Sequence, residues 1–216
     1  MQTDNEQYEQ VKTFIRENWI AITAGVVIGV GGLLGWRYYQ EYQIESQLNE
    51  ASAYFNATSA LNKLNEAIEA TPENAESLNQ EADNAIKTYL ATDSSNYAGI
   101  AALKLAKNLA SQKKYTEAEQ VLIDIASKVK DENILATILF MLANIQAEQD
   151  KFADALATIE KITLASWNAN LLEFKADILK RKGDISEAKK VYEQAITVAD
   201  PSLQDYLRLK LNNLPS

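Results

Sequence analysis

With 30 acidic residues against 21 basic, this chain of 216 residues carries a net charge of −9, and it shows no basic face of the kind a nucleic-acid partner requires. It contains neither histidine nor cysteine. Those absences exclude His-ligated metals, imidazole bases, Ser-His or Cys-His nucleophiles and disulfides; no metal, cofactor or catalytic motif stands in their place, so the residues point to a protein that is not an enzyme.

Residues 1–18 are polar and hold four acidic and two basic side chains, which leaves 26 and 19 in the rest of the chain. One weakly amphipathic turn, Tyr8, Val11, Phe14 and Ile15, fits an interfacial helical lead-in or, alternatively, a regulatory docking site. Trp19 to Trp36 then runs eighteen residues without a charge. As a helix it reaches about 27 Å, close to the hydrocarbon thickness of a thin bilayer.

Trp19 at one end and Trp36, Tyr38 and Tyr39 at the other place amphipathic rings at both headgroup layers. Five of the seven glycines lie inside the run, and Gly25-xxx-Gly29 and Gly31-xxx-Gly35 are the small-residue pairs that let a second helix approach. A cleaved signal peptide is the competing reading, but its apolar core is usually shorter, and Arg37-Tyr38-Tyr39 is a poor cleavage site. Lys12 and Arg16 precede the run and Arg37 follows it, so the basic residues set residues 1–18 in the cytoplasm, a transmembrane helix at 19–39, and 40–216 outside, in the periplasm of a two-membrane bacterium.

Beyond the span, Ile44, Leu48, Ala51, Phe55, Thr58, Leu61, Leu64 and Ile68 follow a helical spacing that ends near Thr71-Pro72. Either this helix packs on the following domain, or it forms a coiled-coil dimer stalk whose seam Ala51 and Thr58 weaken. From Ser77 the pattern is short helices separated by polar breaks near Thr92–Asn96, Gln112–Lys114, Lys130–Glu132, Gln149–Lys151, Trp167, Lys182–Asp184 and Asp200–Pro201. Asp184 with Glu187 has the form of a capping box, and Asp200 before Pro201 that of an N-cap.

Those helices repeat. Tyr115, Ala118, Leu122 and Ile125 share offsets with Phe152, Ala155, Ile159 and Ile162, and with Ile185, Ala188, Tyr192 and Ala195. The units stand 37 and 33 residues apart, either side of the 34 of a tetratricopeptide unit. Upstream of each lies a partner helix with Ala106, Ala143 or Ala176 at its centre. Small residues admit close pairing and large ones fill the space between pairs, so such units bury a continuous core only when stacked. The expected fold is all-α: one transmembrane helix followed by a tetratricopeptide-like α-solenoid of about three degenerate helix-pair repeats, with capping helices before Asn96 and after Asp200. Its packing residues are Ala118, Ala155, Ala188, Tyr192 and Gly183.

From Val11-Lys12 through the Gly25–Tyr38 core and the degenerate repeats to Lys210-Leu211-Asn212-Asn213-Leu214, the chain resembles the ancillary subunits of the SecYEG translocon, of the YfgM type. The usual Trp and Gly-Tyr positions of a tetratricopeptide first helix are missing. The resemblance implies a single-pass inner-membrane protein with a cytoplasmic N-terminus and a periplasmic repeat domain. Its implied partners are the SecYEG channel, a membrane-anchored periplasmic chaperone of the prolyl-isomerase type, and secreted polypeptides handed on to chaperones.

Aligning the repeats puts Ile100, Leu103 and Lys107, then Thr137, Phe140 and Asn144, then Asn170, Glu173, Asp177 and Arg181 on the face formed by the first helices. As a candidate partner groove, Phe140, Asn144, Asn170, Glu173, Asp177 and Arg181 would suit an extended chain; Ile100, Leu103 and Phe140 fit a core role equally. The basic pair that clamps a C-terminal carboxylate in chaperone-binding repeats is not evident. Trp167 either wedges two repeats together or is an exposed anchor. Three roles remain: an adaptor at the secretion channel, a scaffold for another envelope complex, and a stress-response regulator acting through the cytoplasmic tail.

Overall fold

The computed structural model describes residues 2–70, 75–93 and 95–215, with side chains at 8–64, 76–93 and 95–215, so the side chain of Ile68 and the Thr71-Pro72 break lie outside what it describes. The chain divides into two units, Met1–Glu50 and Ala51–Ser216.

The first unit is helical, part of α1 (Gln2–Ala70). By length and composition α1 is long and apolar enough to cross a membrane. Its large apolar side chains are exposed from Tyr8 to Leu48. A methyl group added at Gly25, Gly29, Gly31, Gly32 or Gly35 would meet nothing within 4 Å, so that face is open within the chain.

The second unit contains the rest of α1, then α2 (Ala75–Thr92), α3 (Asn96–Ser111), α4 (Tyr115–Ala126), α5 (Glu132–Glu148), α6 (Phe152–Ile159), a 3-10 turn (Ala165–Trp167), α7 (Asn168–Arg181), α8 (Ile185–Val198) and α9 (Pro201–Asn212). No strand forms among the described residues. The pairs α3–α4, α5–α6 and α7–α8 stack in order, with α2 and the Ala51–Leu64 stretch before them and α9 after. At the pair crossings Ala106, Ala118, Ala143, Ala155, Ala176 and Ala188 are all completely buried. A methyl side chain there lets the helix axes close to about 8 Å, at the near end of helix packing.

Each pair turns in the same way. Residues 113, 150 and 183 have positive φ (62°, 57° and 84°), and the amides of Lys114, Lys151 and Asp184 donate back to Leu109, Gln146 and Leu179. This closes the end carbonyls of α3, α5 and α7 in a Schellman turn. Gly183 therefore belongs to a turn rather than to the packing set: it is exposed, and a Cβ there would touch nothing. At the start of α8 the Asp184 side chain accepts from the Glu187 amide at 3.3 Å, whereas Asp200 makes no side-chain cap and α9 starts on Pro201 alone.

Two features depart from the sequence reading, and a third lies outside it. On α1 the inward residues are Tyr54, Ala57, Thr58, Leu61 and Leu64, while Phe55 is 64% exposed. The face turns because Tyr54 meets the Tyr97 ring at 5.5 Å and the Lys104 ammonium at 5.2 Å. Second, α6 stops at Ile159, so Ile162 reaches the core from the following loop, against Ala136 and Leu139. Third, Gly99 matters for space: a Cβ there would stand 2.8 Å from Ile134 and 2.9 Å from Val129.

Polar ties cross the layers. Gln112 and Asn108 on the α3 end donate to Asn79 and Asp83 on α2 at 2.8–3.3 Å. One pair later Gln149, Gln146 and Lys151 donate to Glu119 of α4 at 2.9, 3.2 and 2.7 Å, and Thr158 of α6 donates to Gln146 at 2.8 Å. Burial alone would raise the Glu119 pKa; the hydrogen bonds from Lys151, Gln149 and Gln146 outweigh it and hold the carboxyl below its ordinary value.

Two measurements check this account. Lys113→Gly relieves a left-handed lysine and is expected to raise stability in denaturant unfolding of the full chain in detergent by about 1 kcal/mol. The Glu119 contribution is present above the ordinary carboxyl pKa and is lost as pH falls through the lower folded value. Glu119→Gln should therefore cost about 1 kcal/mol at neutral pH and make the melting temperature fall less steeply below about pH 4.5.

Candidate functional site

A cleft of about 440 Å³ opens between α5 and α7, lined by Asn144, Ala147, Glu148, Phe174, Asp177, Ile178, Lys180 and Arg181. Its floor is apolar: Phe174 and Ile178 are buried, and Ala147 lies beside them. The walls are polar and of mixed charge. Of the six residues proposed as a groove, the cleft gathers Asn144, Asp177 and Arg181.

Each of the three is already oriented. The Asn144 amide donates to the Phe140 carbonyl at 2.7 Å, leaving its oxygen to accept. Arg181 reaches back one repeat to Glu148 and Asp150, both at 3.2 Å, and lies 5.1 Å over the Phe152 ring. Asp177 accepts from the Tyr192 hydroxyl and from Lys210 of α9. Cleft walls held this firmly lose little side-chain freedom when a ligand arrives.

Phe140 is not part of that cleft. Its ring stands 5.2 Å from Trp167 and 5.5 Å from Phe174, so it fills the seam between the second and third pairs. Trp167 is half-buried in the same cluster. Glu173 is likewise taken: Lys210 bridges it at 2.6 Å and Asp177 at 2.5 Å, with its ammonium 5.9 Å from the Tyr192 ring and 5.3 Å from that of Tyr206. Within the polar end of the expected groove, Glu173 is thus engaged by the chain's own last helix, while Asp177 and Arg181 still line the cleft. Asn170, half-buried, lies outside the cleft lining.

Burial works against the charge of Lys210, but hydrogen bonds to Asp177 and Glu173 outweigh it and hold the ammonium well above its usual range. Burial, followed by the hydrogen bond to Asp177, pushes the Tyr192 phenol up as well. The cluster fastens α9 to α7 and α8. Among the described residues no three carboxylates come together as a metal site would need.

Sequence reasoning passed over Glu148 and Lys180, which lie at the C-terminal ends of α5 and α7. The repeat itself holds the signal that finds them, because Arg181 sits 33 residues after Glu148 and so faces the same end of the preceding first helix.

Stacked helix pairs closed by left-handed turns define a class of interaction scaffold, and the tetratricopeptide repeat-like domain family model matches residues 12–216. The chain belongs to that family. Along nearly its whole length it is also similar to proteins named ancillary SecYEG translocon subunit. The Escherichia coli (strain K12) protein is 29% identical over 214 residues, covering 99% of this chain and 97% of the relative. The Haemophilus influenzae protein is 29% identical over 98% of this chain and 97% of its own, and that of Aggregatibacter actinomycetemcomitans 28% with the same coverage. No solved structure matches the chain.

Phe140→Ala empties the ring cluster between pairs and is expected to cost about 2 kcal/mol or more, less than full ring burial because the side chain is only partly enclosed. With Trp19 and Trp36 replaced by Phe, the emission of Trp167 should shift to the red in the same variant, which a fluorimeter reads directly.

Proposed function

We propose that this chain is a single-pass inner-membrane adaptor of the SecYEG translocon that acts without catalysis. Residues 1–18 lie in the cytoplasm, 19–39 span the bilayer, and the repeat domain stands in the periplasm. There it meets polypeptides leaving the channel and passes them to periplasmic chaperones, among them a membrane-anchored one of the prolyl-isomerase type. The observation that carries this reading is the end-to-end similarity to ancillary SecYEG translocon subunits, apolar helix included.

Physical chemistry supports each part. An eighteen-residue uncharged helix with aromatic rings at both ends satisfies its backbone internally in lipid. The α5–α7 cleft offers an apolar floor with oriented polar groups, which suits an extended segment of varied sequence better than one fixed ligand. The glycine face of the span is open to a neighbouring helix of the channel or the chaperone.

Mild detergent extraction of the tagged full chain is expected to bring down the SecYEG subunits, and protease added to spheroplasts is expected to digest residues 40–216. Recovery of a different envelope complex without SecYEG, or a repeat domain protected from the protease, would overturn the proposal.

A further inference from the structure

One face of the first unit is laid out as a seam. Val27, Val30, Leu34, Arg37, Glu41, Ile44 and Leu48 follow one another at alternating steps of three and four, so all seven fall on a single stripe of the helix. Every one is exposed. A seven-residue spacing is the one that winds helices together left-handedly, and here Val27, Leu34, Glu41 and Leu48 fall at one seam position and Val30, Arg37 and Ile44 at the other, apolar at both ends and charged at 37 and 41.

Lipid accounts for only part of this stripe. Val27, Val30 and Leu34 lie inside the uncharged run, but Ile44 and Leu48 stand eight and twelve residues past Trp36. That is about 12 and 18 Å along a helix, beyond the headgroup layer. There the two side chains face water unless another helix covers them.

The charges between the apolar ends select the occupant. Arg37 and Glu41 are both exposed, and neither belongs to an ion pair among the described residues. Copies anchored by the same span share one orientation, so a two-fold pair would be parallel. In a parallel coil the hole that receives Arg37 is formed by Leu34, Arg37, Tyr38 and Glu41 of the other helix; the long Arg37 side chain reaches past its own counterpart to Glu41, and symmetry makes the contact twice. The flanking positions do not oppose it, since Gln40 would face Glu45 of the second copy. We propose that the chain pairs with a second copy of itself through this stripe, with Ile44 and Leu48 closing on their counterparts and Arg37 and Glu41 crossing. Of the reading above this needs only the anchored orientation.

The chain has no cysteine, so single introduced ones report proximity without background. In the full-length protein in native membranes, Ile44→Cys and Leu48→Cys are expected to give disulfide-linked dimer under mild oxidation. Gln43→Cys and Ser46→Cys, off the stripe, should give about tenfold less. In the Leu48→Cys background, Arg37→Glu and Glu41→Arg should each lower the yield about fivefold, and the two together should restore it. Equal yields at all four positions, a different protein captured at 44 and 48, or a double exchange as poor as the single ones would overturn the proposal. Copurification with the channel and protease accessibility are read on the same membranes, so a failed pairing is told apart from a failed adaptor reading.

Discussion

The repeat domain rests on six alanines. Each helix of the three pairs carries one of them, and all six of these methyls are shut away from solvent. Close approach then lets the larger residues Leu105, Leu122, Ile138, Leu142 and Ile178 reach a neighbouring pair, and Tyr192 reach α9. A larger residue at any of the six would push two axes apart and open the seams on both sides at once. Stacking therefore does what no single pair can do, because each pair alone leaves one apolar face uncovered.

Over that apolar frame runs a set of polar ties that fix the order of the layers. Gln112 and Gln149 occupy the same place after their helices, and each reaches back to an acidic residue of the preceding second helix, Asp83 or Glu119. Their amides would be costly to bury without those acceptors, so a shifted stack is penalised more than the native one is rewarded. At the far end the tie changes character: Lys210 joins Asp177 and Glu173, beneath the Tyr192 ring, and the stack stops on its own last helix.

What could be read without coordinates was what local spacing carries. The breaks at 112–114, 149–151 and 182–184 mark the turns because polar residues cluster there between helical patterns. The choice between Tyr54 and Phe55 on α1 was not legible, since two adjacent stripes both satisfy the helical period and Tyr97, forty-three residues on, selects between them. The same holds for the cleft. Phe140 and Leu139 are neighbours of similar polarity and only Trp167 and Phe174 assign the first to a ring cluster, while Glu173 and Asp177 meet Lys210 across more than thirty residues. Helical period constrains direction within an element; which partner waits there is a property of the whole stack.

The left-handed turns have a consequence for how such a chain can change over time. The backbone of each is closed by hydrogen bonds within the helix it terminates, at residues 109–114, 146–151 and 179–184, and it is side chains, Gln112, Gln149 and Lys151 among them, that tie the turns to the preceding layer. A unit copied or excised between two equivalent turns leaves the backbone hydrogen bonds of both joints intact, and the stack lengthens or shortens by about 10 Å at each step. Length is thus an adjustable quantity in this architecture, set by gene duplication rather than by redesign of the joints.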